Sequence, residues 1–154
     1  MRLALGILVL ILSTYIGYMM SKKYTVRKAY YNAFTEFNKK LKNEISFRQQ
    51  SLLTLIRNFG NENCFYTALK DVIVEKKSFN LDDKVFNEDE QTFLSNYLAV
   101  IGKGDRLSQL KYVESVEVQI AECLKNANDD EKKYKVLFIK LGFLIGLMLL
   151  VVLL

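Results

Sequence analysis

Five carboxylates, Asp82, Asp83, Glu88, Asp89 and Glu90, crowd the stretch LDDKVFNEDEQ from Leu81 to Gln91. Paired acids of this kind can exchange protons with a substrate or hold a divalent cation. In a loop and a first helical turn they more often form a solvated face that complements the helix dipole. The 154-residue chain has no histidine, which removes Ser-His and Cys-His nucleophile pairs, HExxH zinc sites and the usual neutral-pH base. Cys64 and Cys123 have no CxxC spacing and read as small, buried, reduced thiols. GKGD at 102–105 lacks both the GxxxxGK[ST] spacing and the preceding strand of a phosphate loop, so it reads as a turn between helices. The expectation is a chain that is not an enzyme, with no cofactor, metal or small-molecule substrate. Its acids, far in sequence from the basic residues near the chain ends, are expected to form a membrane-distal face that docks a partner.

The elements that must position these groups start with two apolar runs. Leu3 to Met20 and Val136 to Leu154 are each about 18 residues long, roughly 27 Å as helix, close to the thickness of a bilayer core. The first run is longer than a signal-peptide core and offers no small-x-small cleavage site, so it reads as an uncleaved anchor. Lys22, Lys23, Arg27 and Lys28 follow the first run, and Lys132, Lys133, Lys135 and Lys140 lead into the second, against Arg2 alone on the far side. The positive-inside rule then places the middle of the chain in the cytoplasm. These two basic collars account for the net charge of +5 and suit anionic lipid headgroups rather than nucleic acid. Lys140 can lift its ammonium to the headgroups, and the 14 residues after it, with the preceding turn, just reach the far interface. Gly142 and Gly146 form GxxxG, and Ser13 with Gly17 offers a second small-residue face; they can pack within one chain or between chains. The expected domains are an anchor at 1–21, a cytoplasmic bundle at 22–135 and a second membrane helix at 136–154.

Proline is absent from the sequence, so long helices are allowed. Tyr30, Phe34, Phe37, Leu41, Ile45, Leu52, Leu55, Ile56 and Phe59 fall mostly three or four apart, one stripe of an amphipathic helix with a kink or break around Ser46 to Ser51. Gly60 stops it, and Asn61 or Asn63 caps a second helix running to about Lys76. Asn87 with Glu90 predicts a capping box for a third helix ending at Gly102. Asp105 caps the last, which runs toward the second membrane segment with NANDDEKK at 126–133 as a frayed joint. The predicted class is all-α: an antiparallel helical bundle flanked by N- and C-terminal transmembrane helices.

Three stretches together, LALGILVLILSTYIGYMMSKKYTVR, IGKGDRLSQLKYVE and LGFLIGLMLLVVLL, look like stage III sporulation protein AB of endospore-forming bacteria. That family usually has Arg-Pro where this chain has Val26-Arg27-Lys28, and YG-x-TPL where it reads FRQQSLL from Phe47. The resemblance implies a non-catalytic scaffold or adaptor of a secretion-like channel apparatus between mother cell and forespore, seated in the mother-cell membrane around the forespore. It further implies a bundle similar to the cytoplasmic domain of the type II secretion F protein, with the apparatus's cytoplasmic ATPase and other membrane subunits as partners. Asp105, Arg106 and Gln109 match the family's short polar motif and are candidate docking residues; a helix cap and an exposed turn account for them equally well. The alternatives are a self-assembling pore-forming or membrane-remodelling protein, a membrane enzyme using the Asp82 to Glu90 acids, and a general envelope scaffold.

Overall fold

A computed structural model describes residues 2–48, 51–60, 63–79 and 81–153. The helices are α1 (Arg2–Asn43), α2 (Leu52–Arg57), α3 (Cys64–Ile73), α4 (Glu88–Val100) and α5 (Arg106–Leu153), and a π-helical turn, Glu44–Arg48, follows α1. No strand occurs among the described residues. The chain divides into two compact units, Arg27–Lys125 and Met1–Val26 with Asn126–Leu154.

Short side chains set most helix starts. Asn87 Oδ1 accepts from the Glu90 amide at 2.8 Å while Glu90 Oε2 accepts from the Asn87 amide at 3.1 Å, completing the expected capping box of α4. Asn63 caps α3 through the Phe65 amide, and Asn61, the other expected cap, lies outside the described residues. The break expected between Ser46 and Ser51 takes the form of the π turn, after which Ser51 caps α2 through the Thr54 amide; Gln49 and Gln50 lie outside the described residues. The second expected helix ends earlier than Lys76. The Glu75 and Lys77 amides reach back to Lys70 O and Asp71 O, which unwinds the last turn and leaves Lys76 left-handed at φ 54°. Gly102, at φ 80°, lies just beyond α4 in the backbone region that glycine tolerates best.

In the Arg27–Lys125 unit the apolar stripe of α1 is the centre of the core. Tyr30, Tyr31, Phe34 and Phe37 are fully buried. Phe34 stacks on Phe65 of α3 at 5.0 Å and meets Tyr97 of α4 edge-on at 4.6 Å, and Tyr30 meets Phe86 at 4.8 Å. Val113, Val116 and Ile120 of α5 are also buried in this unit. Each such side chain contributes roughly 1.5–3 kcal/mol relative to exposure, and offset aromatic pairs add about 0.5–1.5 kcal/mol.

In the other unit, the joint expected to fray at 126–133 is continuous helix. Glu131 accounts for this locally: its carboxylate accepts from the Thr25 hydroxyl at 3.1 Å and pairs with Lys135 one turn on at 3.3 Å. Ala127 is buried and Tyr134 stacks on Tyr24 at 5.1 Å, so the polar run has tertiary partners that its composition does not reveal. Beyond this belt both helices turn apolar faces outward. Their most apolar windows have mean hydropathies of 1.5 and 2.4 and are only 17% and 11% buried. Exposed apolar surface of that extent suits lipid rather than water, and both helices are long and apolar enough to cross a membrane.

Candidate docking surfaces

The acidic stretch is not one solvated face. Glu90 retains only 7% of its exposure. Its Oε1 accepts from Arg27 Nε at 3.0 Å, from Arg27 Nη2 at 2.8 Å and from the Tyr31 hydroxyl at 2.7 Å, while Oε2 serves the capping box. Arg27 supplies the compensating charge that a buried carboxylate requires. Burial and the Glu90 hydrogen bond hold the Tyr31 phenol far above its ordinary range, and partial burial raises the Cys123 thiol, whose neighbours include Tyr31, Glu90 and Arg27. Against the expectation of two buried thiols, Cys123 is only half-buried and Cys64, at the first position of α3, is exposed. The neighbouring acids divide their tasks. Asp82 Oδ1 accepts from the Lys84 amide and Asp83 Oδ1 from the Gln91 side chain, whereas Glu88 and Asp89 are exposed in the first turn of α4. Among the described residues no three ligand-type side chains gather as a metal set.

Within the Arg27–Lys125 unit, the ion pair of Glu90 with Arg27 sets the start of α4 beside the first residue of that unit. Sequence distance concealed this: α4 begins beside Arg27 and runs 13 residues, about 20 Å, toward the other end.

At that other end stand Asp105, Arg106 and Gln109, and each is engaged within the chain. Asp105 caps α5, accepting from the amides of Leu107 and Ser108 at 3.2 Å and from the Ser108 hydroxyl. That hydroxyl and the Ser108 amide hold its carboxyl below the ordinary value. Gln109 is buried; its Oε1 accepts from the Gly102 amide at 3.0 Å and its Nε2 donates to the carbonyls of Val100 and Lys103, closing the α4–α5 turn. Arg106 donates to Ile45 O at 2.6 Å and Ser46 O at 2.5 Å, two carbonyls of the π turn. The same end is closed by Leu52, whose Cδ2 lies 2.5 Å from where a Cβ on Gly102 would stand.

Two features of this unit went unread in the sequence. Asn38 is buried, donating to Val113 O at 3.2 Å and accepting from the Tyr97 hydroxyl at 3.0 Å; its signal was a polar residue within the apolar stripe, four after Phe34 and three before Leu41. Phe47 stands almost wholly in solvent on the π turn, at a place where pattern alone predicted only a break.

In the membrane-type unit the small residues face the neighbouring helix of the same chain. The Ser13 hydroxyl donates to Gly142 O at 2.7 Å. A Cβ on Gly17 would lie 2.5 Å from Phe138 O, one on Gly142 2.7 Å from Ser13 O, and one on Gly146 3.0 Å from Leu10 Cα. These contacts are with backbone, so only glycine permits the approach. An apolar groove bordered by Leu12, Ile16, Met20, Leu141, Ile145 and Leu149 runs along the pair. Near the collars, Lys23 and Lys133 lie over the rings of Tyr24 and Tyr134 at 5.1 Å, the pairing of basic and aromatic groups typical of a membrane interface.

Comparison with known proteins agrees with the resemblance noted in the sequence. No curated protein and no solved structure matches the chain. The family model of Stage III sporulation protein AB matches residues 60–154, from the segment before α3 through α4 and α5. That match covers more than half of the 154 residues, and the chain belongs to the stage III sporulation protein AB family.

Proposed function

We propose that this chain is a non-catalytic membrane scaffold of the channel-like apparatus between mother cell and forespore, and that its helical unit docks partner subunits, the cytoplasmic ATPase among them. The observation that carries the proposal is the arrangement of a family member: a compact helical unit, Arg27–Lys125, whose first and last helices continue in sequence into segments apolar enough to cross a membrane. The basic collars favour a cytoplasmic position for that unit, hence the mother-cell membrane around the forespore, and they offer contact with anionic lipid. Its mechanism is positional. A non-catalytic role is consistent with how the conspicuous polar groups are used. Glu90, Gln109 and Arg106 hold helices together, and the Glu90 carboxylate already accepts four hydrogen bonds.

The competing reading is a self-assembling pore, which needs small-residue faces between chains. Gly17, Gly142 and Gly146 instead lie against backbone of their own chain, which favours the scaffold. The test is to reconstitute the full chain in lipid nanodiscs and measure binding of the purified apparatus ATPase, alongside dye release from liposomes holding the chain alone. Binding without leakage is expected. Leakage without binding supports the pore and rejects the scaffold.

A further inference from the structure

The described large apolar side chains left exposed in the Arg27–Lys125 unit are Phe47, Leu53, Val100, Leu107 and Val118. All but Val118 belong to one end of the unit. Phe47 rides on the π turn, Arg106 ties Leu107 to that turn, Leu53 follows the residue that packs on Gly102, and Val100 closes α4. Phe47 is 83% exposed and Leu107 60%. A phenyl ring so presented forgoes burial that the same unit obtains for Phe34, Phe37, Phe65 and Phe86.

The charge around this end is net basic. Residues 39–58 carry Lys39, Lys40, Lys42, Arg48 and Arg57 against Glu44, and residues 99–111 carry Lys103, Arg106 and Lys111 against Asp105. Lys40 pairs with Glu36 at 2.7 Å and Lys42 with Glu114 and Glu117, which leaves Lys103 and Lys111 as the excess charge beside Leu107. The carboxylate of Asp105 is occupied by its own helix start. Residues 71–90, by contrast, hold seven acids and three lysines. Beside Phe47 a shallow groove is lined by Lys40, Asn43, Glu44 and Leu55, so the ring borders a depression with both polar and apolar walls. Arg106 fixes the turn that carries Phe47, which reduces the ordering that association must supply.

We infer that this end of the bundle, centred on Phe47 and Leu107 and rimmed by Lys103 and Lys111, is the docking surface for a partner protein whose matching patch is apolar at its centre and acidic around it. The inference rests on the scaffold reading and adds the face and the chemistry of the contact. An aromatic anchor in an apolar centre is the usual seat of binding energy, and a basic rim sets approach and selectivity. Arg106 acts here as a positioning residue for Phe47.

The test uses the full chain in nanodiscs and the purified apparatus ATPase, with four chains compared: wild type, Phe47→Glu, Lys103→Glu and the control Val118→Glu. Phe47 and Val118 are both exposed, so circular dichroism melts are expected to stay close to wild type for each. Phe47→Glu is expected to weaken binding at least about tenfold and Lys103→Glu several-fold, while Val118→Glu stays within about twofold. Wild-type binding is also expected to weaken several-fold when salt is raised from about 50 to about 300 mM. Equal binding by wild type and Phe47→Glu would overturn this surface and leave the scaffold reading in place. No binding by wild type would overturn both. Loss of self-association on Phe47→Glu, with ATPase binding unchanged, would reassign the surface to a second copy of the chain and also overturn the inference.

Discussion

Removing Glu90 is the most direct test of how this bundle is held. Replacing it by alanine deletes the acceptor for two Arg27 nitrogens and the Tyr31 hydroxyl, and it opens the capping box. Both members of the ion pair are largely buried, with side-chain exposures of 16% and 8%, so solvent screens the pair weakly. Breaking a buried pair by deleting one partner costs about 3–5 kcal/mol, and loss of the reciprocal cap bond is part of that. Partial exposure and further contacts of Arg27 pull the expectation to the lower part of the range, about 3 kcal/mol. For a unit of this size 1 kcal/mol moves the melting midpoint by roughly 4–8 °C, so Glu90→Ala is expected to melt at least about 12 °C below wild type. Glu88→Gln and Asp89→Asn, in the same turn but exposed, should each fall within about 0.5 kcal/mol of wild type. The assay is far-UV circular dichroism of the full chain in detergent. If Glu90→Ala melts within the range of the two exposed variants, the acid does not organise the interior and the reasoning fails.

A neighbouring pair of tyrosines should respond in opposite directions. The Tyr30 hydroxyl is buried without a hydrogen-bond partner, so Tyr30→Phe is expected to stabilise by about 1 kcal/mol, while Tyr31→Phe removes a donor to a carboxylate and should destabilise by about 1.5–3 kcal/mol; chemical denaturation in detergent measures both. In the membrane-type unit, Gly17→Leu would force the helices apart, because its Cβ meets backbone at 2.5 Å. The readout is a disulfide between Gly6→Cys and Leu150→Cys, positions in direct contact, in a background lacking the native cysteines: efficient cross-linking is expected with Gly17 and a large loss with Gly17→Leu. Asp105 supplies a pH dependence. Its folded carboxyl is held below the ordinary value of 3.8, so its advantage over Asp105→Asn is present above about pH 4 and disappears as pH falls through the lower folded value. Acid titrations of the two chains should converge there, and a constant difference down to pH 2 would refute the assignment.

Local sequence specified the helical class, both apolar end segments, the capping box at Asn87 and Glu90, the cap at Asp105, an asparagine cap for α3 that the structure assigns to Asn63, and the stripe from Tyr30 to Leu41. These are local matters: period, side-chain capping chemistry and run length act over a few residues and leave their mark in the chain. Tertiary structure decided which groups those elements bring together. Glu90 reads as one of five similar acids, and only its position 2.8 Å from Arg27 Nη2, 63 residues earlier, makes it a buried hub. Arg106 and Gln109 read as an exposed motif until the carbonyls of Ile45, Ser46, Val100 and Lys103 stand opposite them. NANDDEKK reads as a fraying joint because composition cannot show that Thr25 and Tyr24 lie beside Glu131 and Tyr134. Phe47 inverts the usual inference, since periodicity cannot distinguish a ring turned inward from one that a π turn swings into solvent. Hydrogen bonds and packing of this kind join residues distant in sequence, so they become visible only once the helices have chosen their neighbours.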